Sequence, residues 1–233
     1  MRSAIFCLGF LAGCSIPGVD MPFDGDQDGL LSDEEEALGT DPSNPDSDDD
    51  GFADGDEVAN FTDPLNPAEH PYTGGWPMDA CRADMDSAGT GTAVGDVAPT
   101  FALTDQYGEE VRLHDFCGQA VIVESSAIWC PSCQAAAPEL AAMYEAYKDR
   151  GLMVITLLGE NNDGGAPTTD ELMTWAETYG STHPVVADPG WAYSSNFISG
   201  SIPSETVVSP GVIIEMIDQY GLTAGDIEAY LPQ

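Results

Sequence analysis

Two cysteines three positions apart, Cys130 and Cys133 in Trp129-Cys130-Pro131-Ser132-Cys133, are the residues of this chain best suited to chemistry. Thiols at that spacing close a small disulfide ring and reopen it, so they can exchange an electron pair with another disulfide. The same pair could supply half of a zinc site. Zinc, however, needs a second pair of Cys or His ligands, and His70, His114 and His183 stand at no such spacing. Redox chemistry is the stronger reading.

The elements around the pair are arranged to support it. Val121 to Ala127 is an apolar, β-branched run of the length of a buried strand. From Gln134 to Arg150, Ala135, Leu140, Met143, Tyr144 and Tyr147 recur at helical spacing. The dithiol therefore falls where a strand ends and a helix begins. The positive end of that helix favours a thiolate at Cys130, the attacking form, and leaves Cys133 as the more buried, resolving thiol.

Five features in the right order make residues 95–232, within a domain expected to span 95–233, resemble the thioredoxin superfamily, in its TlpA-like redoxin branch. Gly95-Asp-Val-Ala-Pro-Thr-Phe-Ala-Leu-Thr-Asp-Gln-Tyr-Gly108 is similar to the opening hairpin, and the Trp-Cys-x-x-Cys motif follows. Glu124, six residues before Cys130, stands where thioredoxins keep a buried carboxylate. Pro138, five after Cys133, matches the proline that kinks the active-site helix. Ile202-Pro203-Ser204 resembles the segment whose cis proline packs beside the dithiol. The resemblance implies an α/β fold with a mixed central sheet flanked by helices, and a thiol-disulfide oxidoreductase that reduces protein disulfides. It gives roles to Cys130 as nucleophile, Cys133 as resolving thiol, Glu124 as a buried base with a raised pKa, Trp129 as a shield and Pro203 as a substrate-facing cis proline. Glu124 could instead face water at a strand end, Trp129 could be mere packing, and Pro203 an ordinary loop proline. A thiol peroxidase would need Pro-x-x-x-Thr-x-x-Cys, and here Val123 and Ala127 fill those places.

Strands are expected at Phe101 to Leu103, Val111 to Leu113, Leu152 to Leu158, His183 to Ala187, Thr206 to Val208 and Val212 to Ile217, the last two joined through Ser209-Pro-Gly211. Helices are expected from Thr169 to Tyr179, from Pro189 to Phe197 and from Thr223 to Tyr230.

Upstream, the chain changes character. Of its 233 residues 41 are acidic and 5 basic, a net charge of −36, which argues against nucleic acid as a partner and suits multivalent cations or a salty medium. Residues 20–68 carry no Lys or Arg and repeat with a period of 22. Asp24, Asp26, Asp28 and Glu35 of loop 24–35 return as Asp46, Asp48, Asp50 and Glu57 of loop 46–57, with Gly29 and Gly51 at the sixth position. Carboxylates at 1, 3, 5 and 12, with the backbone carbonyls of Leu30 and Phe52 at 7 and Asp54 at 9 of the second loop, form a donor set for calcium. The unit resembles thrombospondin type-3 repeats, which implies a calcium-organised spacer with little regular structure; the alternative is a disordered acidic linker. A non-enzymatic calcium-binding surface protein is the competing functional reading for the whole chain.

Residues 1–13 combine a positive start, an apolar run and small residues, and read as a secretory signal. Leu11-Ala12-Gly13-Cys14 resembles a bacterial lipobox, which implies cleavage before Cys14, lipid on that residue, loss of Cys7 and a place on the periplasmic side of the cell envelope. The spacer then spans 14–68, and 69–94 is Pro- and Gly-rich and reads as linker. Cys81 and Cys117 remain, most simply as a structural disulfide, with free thiols or a second exchange pair as alternatives. Expected partners are protein disulfides or dithiols, an upstream electron donor and the membrane, with the chain acting as a monomer and without organic cofactor.

Overall fold

The computed structural model describes residues 23–85 and 91–232. The expected signal with Cys7, the expected lipidation position Cys14 and the first residues of the expected spacer lie outside them.

The sequence pattern accounts for the central sheet. β3 (Ala120–Ser126) and β4 (Leu152–Leu158) are buried at every position, as parallel strands covered on both faces must be. With β5 (Val185–Ala187), β6 (Ser204–Ser209) and β7 (Ile213–Gln219) they form a five-stranded sheet in the order β5-β4-β3-β6-β7. β5, β4 and β3 run parallel, whereas β6 is antiparallel to β3 and β7 is antiparallel to β6. The sheet is therefore mixed. A separate antiparallel hairpin, β1 (Ala102–Thr104) and β2 (Glu110–Arg112), turns at Gly108 with φ 88°, and the Asp105 carboxylate accepts the Tyr107 and Glu109 N–H groups there.

Three helices flank the sheet. α4 (Pro131–Tyr147) buries the stripe Cys133, Ala137, Leu140, Ala141 and Tyr144 and carries Pro138 inside it. It starts earlier than the expected Gln134 because Cys130 caps it and Pro131 takes the first helical position, which needs no N–H. Ala135, expected on the inward stripe, is exposed. α5 (Thr169–Tyr179) opens on a capping box between Thr168 and Glu171 and stops at Gly180 in the left-handed conformation. α6 (Ala224–Ile227) is shorter than the expected 223–230. The helix expected from Pro189 to Phe197 is instead two 3₁₀ turns, Pro189–Trp191 and Ser194–Asn196. Gly190 has φ 67°, and the Asp188 carboxylate takes the Tyr193 and Ser194 N–H groups at 2.9 Å, restarting the chain in mid-segment.

Much of residues 69–94 is not the loose connector that its composition suggests. Tyr72, Trp76 and Met78 are buried in the same core as Phe116, Leu152 and Met153. Trp76 Nε1 donates to the Thr182 carbonyl at 2.8 Å, and the Asp79 carboxylate accepts the Gly118 N–H at 3.0 Å. Glycine and proline bring three apolar side chains onto the domain here. After Met78 comes α3 (Arg82–Met85), and Cys81 is joined to Cys117 with 6.1 Å between Cα atoms.

The spacer has two short helices, α1 (Ser32–Leu38) and α2 (Asp54–Ala59), one at the end of each acidic loop. Gly29 and Gly51 both have φ 103°, a conformation that an L side chain resists, which explains glycine at both places. The repeats back onto one another at Gly55. Its N–H donates to Asp28 Oδ2 at 3.1 Å, and a Cβ there would come within 2.2 Å of the Asp28 carbonyl oxygen.

Among the described residues every lysine and arginine is paired: Arg82 with Asp115, Arg112 with Glu110, Lys148 with Glu145 and Arg150 with Glu228. No described helix is long and apolar enough to cross a membrane.

Candidate active site

β3 delivers the chain to Cys130, the N-cap of α4, with φ −83° and ψ 112°. The first turn of a helix has N–H groups without intrahelical partners. One of them, that of Cys133, donates to Cys130 Sγ at 3.2 Å. That donor and the helix end lower the cost of negative charge on this sulfur. Cys130 and Cys133 form a disulfide with Cα atoms 5.2 Å apart, and both are buried, Cys133 completely. On reduction the sulfur nearer the surface is Cys130.

The loop before β6 closes over that sulfur. The Ile202–Pro203 peptide is cis, and the Ile202 carbonyl oxygen lies 3.8 Å from Cys130 Sγ. Ser132 Oγ stands between them, 3.2 Å from Cys130 Sγ and 3.3 Å from the Ile202 oxygen. A hydroxyl with one proton can serve only one of these acceptors at a time. Ser132 can therefore move its proton between a backbone oxygen and a sulfur anion.

Trp129 is 45% exposed and donates from Nε1 to Glu160 Oε2 at 2.9 Å, so it borders the motif and does not pack in the core. With Glu160, Trp191, Ile198 and Ile202 it lines a groove of about 470 Å³ beside Cys130. Aromatic walls and a backbone oxygen next to the sulfur suit an extended polypeptide.

Glu124 lies midway along β3 and is fully buried, so it does not face water. Its Oε2 accepts the Thr156 hydroxyl at 3.0 Å, while Oε1 has no partner among the described residues. Burial pushes its pKa up to about 8; the Glu205 charge adds to the rise and the Thr156 hydrogen bond opposes it. A carboxyl in that state can hold or release a proton near neutrality, which general acid-base work requires.

The acidic loops assemble separate groups. Carboxylate oxygens of Asp24, Asp26 and Asp28 converge within 4.8 Å of one another, as do those of Asp46, Asp48 and Asp50. Glu35 groups with Asp28 and with Asp54 of the second repeat, leaving Asp28 common to two groups. Asp54 also accepts from the Ser47 N–H and hydroxyl, tying down its own loop. Glu57 is buried and pushed up to about 8 by burial and by Asp50, Asp48 and Asp54. Both oxygens of Asp26 and of Glu35, and one each of Asp48, Asp50 and Glu57, are buried with no hydrogen-bond partner. Orphaned buried oxygens in a segment without Lys or Arg fit an oxygen-seeking divalent cation. At the seventh positions, Leu30 N–H donates to Asp28 and Phe52 N–H to Asp50, and the Phe52 ring stacks on His70.

Sequence reasoning missed Glu160 beside Trp129, and Thr156, His183 and Glu205 around Glu124. The one hydroxyl in the Leu152 to Leu158 run was the available signal for Thr156.

A model of the AhpC/TSA family matches residues 94–216. The thiol-disulfide oxidoreductase ResA of Geobacillus kaustophilus is 30% identical over 142 residues, covering 61% of this chain and 78% of that protein. ResA of Oceanobacillus iheyensis is 32% identical over 143 residues, covering 59% and 71%. Among solved structures, the thioredoxin domain of a thiol-disulfide oxidoreductase from Bacteroides vulgatus is 23% identical, with a TM-score of 0.48, covering 55% of this chain and 90% of that one. With the buried dithiol at a strand-to-helix junction of a mixed, helix-flanked sheet, the family model and the two ResA relatives lead to one conclusion: the chain belongs to the AhpC/TSA family and is a thiol-disulfide oxidoreductase with a thioredoxin-like fold.

Proposed function

We propose that this enzyme is held by lipid on Cys14 at the periplasmic side of a bacterial cell envelope, stands on a calcium-organised spacer and reduces disulfides in other proteins. The carrying observation is Cys130 Sγ at the N-cap, accepting the Cys133 N–H beside the Ile202 carbonyl.

The reduced Cys130 thiolate attacks one sulfur of a substrate disulfide. A Cys130–substrate bond forms, the substrate S–S bond breaks, and the other substrate sulfur leaves as a thiolate. Cys133 then loses its proton to Glu124 and attacks Cys130 Sγ, releasing the second substrate thiolate. The substrate gains two electrons, its thiolates take up two protons, and the enzyme is left as the Cys130–Cys133 disulfide. A separate dithiol donor restores it. Calcium would be held by the carboxylates of Asp24, Asp26, Asp28, Glu35, Asp46, Asp48, Asp50, Asp54 and Glu57, cancelling charge that otherwise expands the segment.

Cys133→Ala in the full chain tests the reaction, because the variant can attack but not resolve. It should accumulate mixed disulfides with envelope proteins, and Cys130→Ser should accumulate none. If Cys133→Ala traps no protein and the wild type reduces no protein disulfide from a dithiol donor, the proposal fails.

A further inference from the structure

A row of polar side chains crosses the apolar sheet. Glu205 on β6, Glu124 on β3 and Thr156 on β4 are register partners across neighbouring strands. His183 stands just before β5, where the Pro184 carbonyl accepts the Thr156 N–H at 2.9 Å. All four side chains are buried. Thr156 Oγ1 lies 3.0 Å from Glu124 Oε2 and 3.2 Å from His183 Nε2. The hydroxyl therefore joins the carboxyl to the imidazole.

The proton count of this chain is constrained. Ionised Glu124 can only accept, so Thr156 donates to it, and His183 must then carry its hydrogen on Nε2 and donate to Thr156. When Glu124 gains a proton on Oε2 it donates to Thr156, the hydroxyl turns to donate to Nε2, and the imidazole hydrogen sits on Nδ1. His183 Nδ1 has no partner among the described residues. Reversal thus strands a buried N–H donor and removes two bonds that support the carboxylate, which disfavours the neutral form. Both end states hold a neutral imidazole, since burial lowers its pKa to about 3, and the change between them releases the Nε2 proton to water and takes one from water at Nδ1. Glu205 is the charged group facing Glu124 from β6; beside His183 stand the Glu145 charge and the Tyr144 ring, edge-on at 5.5 Å, both from α4.

We infer that Glu124, Thr156 and His183 form a reversible hydrogen-bond relay in which the imidazole tautomer follows the proton on Glu124, and in which Thr156 and His183 set the pH at which Glu124 takes the Cys133 proton. The inference rests on the reading of Glu124 as the base for Cys133. Thr156 and His183 are positioning residues that act through Glu124.

Single-turnover resolution of a Cys130 mixed disulfide, followed against pH in the full chain, tests it. Thr156→Val should move the midpoint up by about 1–2 pH units, the worth of one hydrogen bond to a charged group. Thr156→Ser should restore the midpoint, and His183→Phe should move it in the same direction as Thr156→Val. Nitrogen NMR of His183 in the unmutated protein, which no folding defect can affect, should show Nε2–H giving way to Nδ1–H as pH falls through that midpoint, with no imidazolium. An unmoved midpoint in folded Thr156→Val, or one tautomer throughout the titration, overturns the relay. If Glu124→Gln itself leaves the profile unchanged, the base assignment falls and the relay with it. A Glu124→Gln effect without a Thr156→Val effect sinks the relay alone.

Discussion

Glu124 and Glu205 face each other across the β3–β6 pair, two buried carboxyl groups with no cationic side chain bonded to either among the described residues. In the unfolded chain Glu124 titrates near its ordinary value of 4.5, whereas in the folded protein it is pushed up to about 8. Between those pH values the folded state keeps a proton that the unfolded state has shed. Stability must therefore fall as pH rises through that window, then level off. Glu124→Gln should remove most of this slope, its advantage over wild type growing from near zero at low pH to about 3–5 kcal/mol above pH 8. Denaturant unfolding at a series of pH values reads it. Burial raises Glu205 as well, and the slope it contributes should survive in the variant.

Trp76→Ala tests whether the Pro- and Gly-rich stretch belongs to the domain. Trp76 is 2% exposed and hydrogen-bonded to Thr182, so truncation should cost about 3–5 kcal/mol by equilibrium unfolding. A loss under about 1 kcal/mol would mean that this tryptophan only brushes the surface.

Replacing Cys81 and Cys117 together with serine opens a loop of sequence separation 36. Chain entropy puts the cost at about 3–4 kcal/mol. The exchange rate of the Cys130–Cys133 pair, measured with a small dithiol, should stay within about twofold of wild type. A large fall in that rate would assign the bridge to electron transfer.

Ser132→Ala removes the hydroxyl that lies 3.2 Å from Cys130 Sγ. The reduced thiolate loses a donor and its pKa rises. Alkylation of Cys130 at neutral pH should slow about three- to tenfold, with the pH profile displaced upward. Unchanged alkylation would show that the hydroxyl serves Ile202 alone.

Chelation should turn residues 23–68 into an expanded, self-repelling chain, visible as a larger radius in solution scattering and reversed by calcium. Titration calorimetry should give affinities on the order of 10⁻⁴ to 10⁻³ M. Asp28→Ala should weaken binding more than Asp24→Ala, because Asp28 belongs to two carboxylate groups and also holds the Gly55 N–H. Equal effects would argue that the loops act independently.

Local chemistry made much of this molecule legible. β4 runs from Leu152 to Leu158 as its apolar run indicates, α5 begins behind the Thr168 cap and ends before Gly180, and the dithiol stands at a strand-to-helix junction. What escaped was set by tertiary register. Trp76 looks like one aromatic among glycines and prolines until Thr182, far along the chain, receives its N–H. Thr156 and His183 stand 27 positions apart, and only the pairing of β4 with β5 brings them together. The break at Gly190 was hidden because Asp188 reaches forward to two later N–H groups, a contact that helical periodicity does not encode.

The four ion pairs leave no described lysine or arginine without a carboxylate beside it. A molecule so lopsided in sign sorts its visitors before any sulfur meets another. Acidic neighbours are turned away at a distance, basic ones are gathered in, and adding salt flattens the contrast. Choice of client is thus made partly in open solvent, by who can come near.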